Sequence, residues 1–127
     1  MFFFTLFSFQ NTVLNNALNG HKFWSFRAEN VDSSGGIHLK DFDGSILYCG
    51  TLRYLKVIMR TVSSDTNVFS EYFVRITSTT FNILELVVGS NGVAPLLIIS
   101  SDGKTLKIKV TTTATTPTVI VWVEELP

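Results

Sequence analysis

The stretch KTLKIKV, residues 104–110, decides the fold class, because from Thr105 onward its side chains alternate between polar and apolar at every step. An alternation of period two is typical of a β-strand with one buried face. It predicts that Leu106, Ile108 and Val110 point into a core while the lysines between them face outward. A register slip of one residue would reverse every side chain.

A turn signal precedes this strand. Asp102-Gly103 separates it from the apolar run Leu96–Ser100, and an Asp-Gly pair between two such runs predicts a tight hairpin. Pro95 has no amide hydrogen to donate, so it can only open the preceding strand. A second pair, Asp43-Gly44, has a predicted strand on either side, Ile37–Phe42 and Ser45–Cys49.

Short runs of β-branched and aromatic residues continue through the rest of the chain, with turn residues between them. Phe81–Val88 is apolar on both faces, which favours a central strand. Helical periodicity is confined to Asn11–Asn19, which is either a short helix or a loop. The other predicted strands are Phe2–Phe9, Lys22–Val31 with Trp24, Phe26 and Ala28 on one face, Leu52–Val62, Val68–Ser78 with Tyr72, Val74 and Ile76 on one face, and Thr118–Glu125.

This pattern predicts one all-β domain over residues 1–127, an antiparallel β-sandwich of jelly-roll type with about eight to ten strands. The single cysteine, Cys49, excludes an internal disulfide. No apolar run reaches the roughly 20 residues of a membrane-spanning helix. Ten basic residues balance ten acidic ones, so nucleic-acid binding and attachment to a membrane surface are not expected.

Hydrophobicity is the unusual feature of the composition: 46% of the residues are apolar and 16% are charged. Charged residues make up about 25% of typical soluble domains. One explanation is a rich core under a Ser/Thr surface. The other is that apolar surface lies in an interface between subunits, because a domain of this size has much surface for its volume.

The first ten residues carry the densest aromatic cluster, which we interpret as part of the mature protein because no basic region precedes it. We expect this segment to pair within its own domain, or to form an oligomer interface by packing on or swapping into a neighbouring subunit. The rings concerned are Phe2, Phe3, Phe4, Phe7 and Phe9.

Candidate chemical groups each have a structural explanation, so we expect no catalytic, cofactor or metal site and no enzyme activity. Asp41 and Asp43 resemble the start of a calcium loop but lack its distal glutamate. The histidines His21 and His38, with Cys49, fall short of a zinc site or an activated thiol. Two mid-strand glutamates on neighbouring predicted strands, Glu71 and Glu85, are as well explained by a solvent face as by a glycosidase pair.

Five amphipathic aromatic residues could stack on a sugar or a nucleobase, or belong to the core or an interface. They are Trp24, Tyr48, Tyr54, Tyr72 and Trp122.

The C-terminal half carries a resemblance to a known group of proteins. The hairpin over Leu96–Val110, a Thr-rich segment and the strand Thr118–Leu126 resemble the closing strands of β-sandwich domains in viral and phage fibres, spikes and minor capsid proteins. The resemblance covers Phe69–Pro127. It implies a non-enzymatic structural or attachment subunit of a virion, working as a homo-oligomer of three copies beside other virion proteins.

The alternative function is a carbohydrate- or glycan-binding β-sandwich module of a surface or secreted protein. Its location would be extracellular or at the cell surface rather than in the virion. The stacking aromatics named above would then hold the glycan.

Overall fold

A computed structural model describes residues 22–63 and 67–127 of the chain. The predicted strand Phe2–Phe9, the segment Asn11–Asn19 and His21 lie outside the described residues. Within the described ranges there is no helix, and hence none long and apolar enough to cross a membrane.

Eight strands form two antiparallel sheets. The larger sheet has the order β1-β8-β3-β4-β5 and the smaller one the order β2-β7-β6. The strands are β1 Lys22–Ala28, β2 Ile37–His38, β3 Arg53–Thr61, β4 Phe69–Ile76, β5 Phe81–Val88, β6 Leu96–Ile99, β7 Leu106–Lys109 and β8 Val119–Glu125.

The eight strands confirm the prediction of an all-β fold. The hydrophobic core lies between the two sheets. Leu106, Ile108 and Val110 are fully buried, while the lysines between them are only partly covered, so the predicted register of this stretch is confirmed. The larger sheet contributes alternate residues of its strands to the same cluster, among them Leu55, Val57, Met59, Val74, Val121 and Val123. Alternation of period two therefore places one face of each strand in the core.

Both Asp-Gly turns form, with glycine in the left-handed region. Gly44 has a φ of 88° and its amide donates to the carbonyl of Asp41, 2.9 Å away. Gly103 has a φ of 75° and its amide donates to Ser100 at 2.9 Å. Because a side chain is strained at these φ values, glycine is the residue that closes each turn without cost.

The prediction that Phe81–Val88 is a central strand is wrong. This segment is β5, which among the described strands pairs with β4 alone and forms one edge of the larger sheet. A register shift opposite Glu71 and Tyr72 marks a β-bulge in this pair, after which Leu86 and Val87 are exposed together. The apolar side chains on both faces of β5 thus belong to a strand that is at the edge of the sheet among the described strands, rather than buried on both sides.

Candidate binding face

The outer face of the larger sheet is lined by two rows of side chains that the strand register brings together. One row runs Phe23, Glu124 and Lys56 across β1, β8 and β3. The next row runs Ser25, Trp122 and Ile58 across the same strands. Since neighbouring strands lie about 4.8 Å apart, the three strands present these six side chains over a width of about 10 Å.

A shallow depression of about 460 Å³ opens between these rows. Its two large rings face solvent, with Phe23 50% exposed and Trp122 43% exposed. The hydroxyl of Ser25, the ammonium of Lys56 and the carboxylate of Glu124 lie at the same depression. The Lys56 ammonium also pairs with Glu71 of β4 at 3.5 Å. The depression thus combines exposed aromatic surface with both donors and acceptors of hydrogen bonds.

Trp24 lies on the opposite side of β1 from Phe23 and packs against the core. Its indole nitrogen donates to the carbonyl of Lys40 at 2.9 Å, and its ring meets Phe42 edge to face with 5.9 Å between centroids. The ring and its polar group are therefore both engaged within the protein. Trp24 is thus partly buried against the core, although it also lines the depression.

The other aromatic candidates are spread over the molecule. Tyr72 is buried, and burial raises the pKa of its hydroxyl, so it is a core residue and cannot stack on a ligand from solvent. Tyr54 is half-buried beside Phe73, with 6.4 Å between ring centroids. Tyr48 is exposed at a separate depression of about 400 Å³. Trp24 and Trp122 both line the depression beside Phe23, and of these two tryptophans Trp122 is the exposed one.

Asp41, considered above as a calcium ligand, is bound to Arg53 at the start of β3. The guanidinium donates to both carboxylate oxygens of Asp41, at 2.8 and 2.9 Å, and to both of Glu125, again at 2.8 and 2.9 Å. These hydrogen bonds hold the pKa of the Asp41 carboxyl below its ordinary value. Asp43 accepts from the amide and the hydroxyl of Ser45 instead, which stabilises the turn. The carboxylates of Asp41 and Asp43 thus accept hydrogen bonds from Arg53 and Ser45 and stabilise the loop.

The remaining chemical candidates are not brought into a common site. Glu71 faces Val87 across β4 and β5, whereas Glu85 faces Tyr72, so the bulged register puts the two carboxylates on opposite faces. His38 lies opposite Lys107 in the β2–β7 pair, and the backbone amide of Cys49 donates to the backbone carbonyl of Lys104. Within residues 22–63 and 67–127, no three His, Cys, Asp or Glu residues are grouped as metal ligands would be.

Phe23 and Ser25 are site residues that sequence reasoning missed. The alternation in β1 placed Trp24 and Phe26 on one face, and the structure confirms it, so the intervening residues had to face outward. The sequence alternation does not show which residues of other strands lie beside Phe23 and Ser25. The pairing of Ser25 with Trp122 joins the first and last strands of the described chain.

Comparison with known proteins yields structural likenesses alone. No protein-family model and no curated protein sequence matches the chain. A crystal structure of the tailspike protein gp49 from Acinetobacter baumannii bacteriophage Fri1, a capsular polysaccharide depolymerase, is similar with a TM-score of 0.50 and 19% identity. The likeness covers 87% of this chain and 19% of that one.

The crystal structure of the Acinetobacter phage vB_ApiP_P1 tailspike protein also matches, with a TM-score of 0.42 and 13% identity over 80% of this chain and 20% of that one. This chain thus spans about a fifth of each tailspike. At 19% identity, the likeness to gp49 shows a shared fold. The expected resemblance to phage spike domains is confirmed at that level.

Proposed function

We propose that this chain is a non-catalytic structural or attachment module of a phage virion, and that it works as a homo-oligomer. The similarity of its fold to part of a phage tailspike supports the virion setting. That tailspike is described as a capsular polysaccharide depolymerase, but this chain corresponds to 19% of its length. The enzymatic activity of the whole spike is therefore not assigned to this module.

The observation that carries the oligomer is the edge of the larger sheet at β5, which no other described strand covers. Leu84 is 60% exposed there, and Leu86 and Val87 are exposed beside it. Edge strands are commonly protected against pairing with other chains by charged side chains, prolines or bulges. β5 has one bulge and one charged side chain, Glu85. An apolar edge strand with so little protection is a template for pairing with another strand. In the proposed oligomer, a neighbouring subunit packs against this strand.

The roles of four of the described carboxylates support a non-catalytic module. Asp41 is held by Arg53, and Asp43 and Asp102 each accept an amide and a hydroxyl hydrogen bond within a turn. Glu71 is paired with Lys56. Each of these acids stabilises local structure, whereas a general acid or base needs a proton-transfer partner in a substrate position.

The proposal includes Phe2, Phe3, Phe4, Phe7 and Phe9 as part of the subunit interface, although they lie outside the described residues. Light scattering on the full chain and on a chain beginning at Asn11 tests this part. We expect the shorter chain to dissociate at a higher concentration than the full one. A shorter chain that is equally oligomeric and equally stable would remove these rings from the interface.

Labelling of particles tests the virion setting. Antibodies raised against the purified chain should label intact phage particles produced from the genome that encodes it, as seen by electron microscopy. Antibodies to another protein of the same genome that is absent from particles serve as the control. Detection of the chain at the cell surface or in the medium, with unlabelled particles, would favour a surface or secreted module and contradict the virion.

A further inference from the structure

The depression between β1, β8 and β3 is the part of the described surface best equipped for a small ligand. Its volume, about 460 Å³, lies within the range of about 300–1,000 Å³ that is usual for such sites. The surface is built on three paired strands rather than on loops, so the positions of its side chains are fixed by the sheet register. A rigid support of this kind lowers the entropic cost of binding.

The aromatic rings indicate a ligand with a flat apolar face. Trp122 is at the middle strand of the depression and Phe23 at its rim, both about half exposed. A π-system offers a negative face to polarised C–H groups, and the indole N–H of Trp122 adds a donor beside that face. A pyranose ring has such a C–H face, with hydroxyl groups around its edge.

The polar groups match a partner that both donates and accepts hydrogen bonds. Lys56 donates, Glu124 accepts, and the hydroxyl of Ser25 does either. Sugar hydroxyls likewise donate and accept, so a single class of group satisfies all three side chains. A purely apolar partner would bury the Glu124 carboxylate without offering it a hydrogen bond, which is costly.

The balance of charge selects a neutral ligand. The one ammonium in the depression, that of Lys56, has the carboxylate of Glu71 at 3.5 Å and Glu124 directly across the β3–β8 pair. An anionic sugar would therefore meet the Glu124 carboxylate and an ammonium that is already paired with Glu71, and like charges in close contact disfavour binding. A phosphate backbone is disfavoured for the same reason.

From these observations we propose that the depression binds an uncharged pyranose unit of a polysaccharide, stacked on Trp122 and hydrogen-bonded by Ser25, Lys56 and Glu124. The proposal names a ligand for the attachment module above, and rests on that function for its biological role. The oligomer is assigned to the β5 edge, which lies three strands away from β8 in the same sheet. The glycan site and the β5 edge thus lie on different strands of the larger sheet.

The test is an array of neutral hexose and N-acetylhexosamine oligosaccharides beside their uronic acid counterparts, probed with the full chain. Binding to neutral oligosaccharides is expected, followed by a change in tryptophan fluorescence on titration. Trp122→Ala should weaken binding at least tenfold, while Trp122→Phe retains part of it. Tyr48→Ala is the matched control, because it removes an exposed aromatic ring at a separate depression.

Failure of the site and failure of the proposed function give different results. A chain that is oligomeric and present in particles, but binds no neutral oligosaccharide, overturns the glycan site and leaves the virion module intact. Preferential binding to uronic acids, or binding unchanged by Trp122→Ala at an unaltered melting temperature, also overturns the site. Neutral-glycan binding that Trp122→Ala removes and Tyr48→Ala leaves intact supports it, whatever the oligomeric state.

Discussion

Arg53 and Asp41 form a two-point ion pair, in which Nη1 lies 2.9 Å from Oδ2 and Nη2 lies 2.8 Å from Oδ1. The same guanidinium binds Glu125 at the end of β8. One side chain thus joins the turn before β3 to the last strand of the chain. All three side chains are largely covered, so solvent screens the pair less than it would on an open surface.

Arg53→Ala should lower the free energy of unfolding by about 2 kcal/mol, since it leaves two partly buried carboxylates unpaired. This value lies between the ~0–1 kcal/mol of exposed pairs and the 3–5 kcal/mol of fully buried ones. Arg27→Ala is the matched control, because the Arg27–Glu29 pair is exposed. Urea denaturation measures both variants. Equal effects for the two arginines would show that the Arg53 cluster adds nothing to stability.

The Asp41 carboxyl predicts how stability depends on acid. Hydrogen bonds from Arg53 lower its pKa in the folded chain. A group with a lowered folded pKa stabilises the fold above its unfolded pKa, about 3.9 for Asp, and that stabilisation is lost as the pH falls through the folded pKa. The free energy of unfolding should therefore decrease below about pH 4. Asp41→Asn should flatten this decrease, measured as thermal stability between pH 6 and pH 2. An identical pH profile for Asp41→Asn would contradict the assignment.

Ile108→Ala should cost about 2–5 kcal/mol, as other truncations of fully buried side chains do. Ile108 lies at the centre of the smaller sheet and is fully buried. The same substitution at Ile99, which is exposed on the edge strand β6, should change stability by less than about 0.5 kcal/mol. Chemical denaturation gives the free energy of unfolding of both variants, and the difference tests which side of each strand is buried. Similar costs at both positions would contradict the burial of this face.

Gly89→Ala should destabilise the fold by about 1–3 kcal/mol through overpacking. A Cβ placed on Gly89 would lie 1.8 Å from the carbonyl oxygen of Asn67, so the backbone at the end of β5 would have to move. Gly50→Ala is the control, because a Cβ there meets no atom within 4 Å. The melting temperatures of the two variants give the comparison. A Gly89→Ala chain as stable as the Gly50→Ala chain would show that this close approach does not form.

The fold class and most strands could be predicted from sequence because period-two alternation is a local property. Leu106, Ile108 and Val110 show this, since the alternation assigned them correctly to the buried side. Thr105 is buried as well, which the alternation does not predict. Strand order is not local, and so Phe81–Val88 was mistaken for a central strand. An apolar pattern on both faces does not distinguish a strand buried on both sides from an edge strand whose apolar side chains are exposed.

The candidate site was predicted in part for the same reason. Trp122 was identified by its residue type, but Phe23 was not, because its neighbours come from the other end of the described chain through the β1–β8 pairing. The Arg53 cluster likewise joins three distant segments, and Asp41 carried no local sign of its partner. Tyr72 shows the converse, because residue type suggested a ligand contact where the fold has a core position.

The mass of the full chain in solution, measured by light scattering across a range of concentrations, tests the central claim most directly. A homo-oligomer joined at the β5 edge should give a multiple of 14.2 kDa. Leu84→Lys should shift it toward the single-chain mass, while Leu52→Lys should not, although the two leucines are 60% and 61% exposed. A mass of 14.2 kDa for the unaltered chain at every concentration would contradict the account.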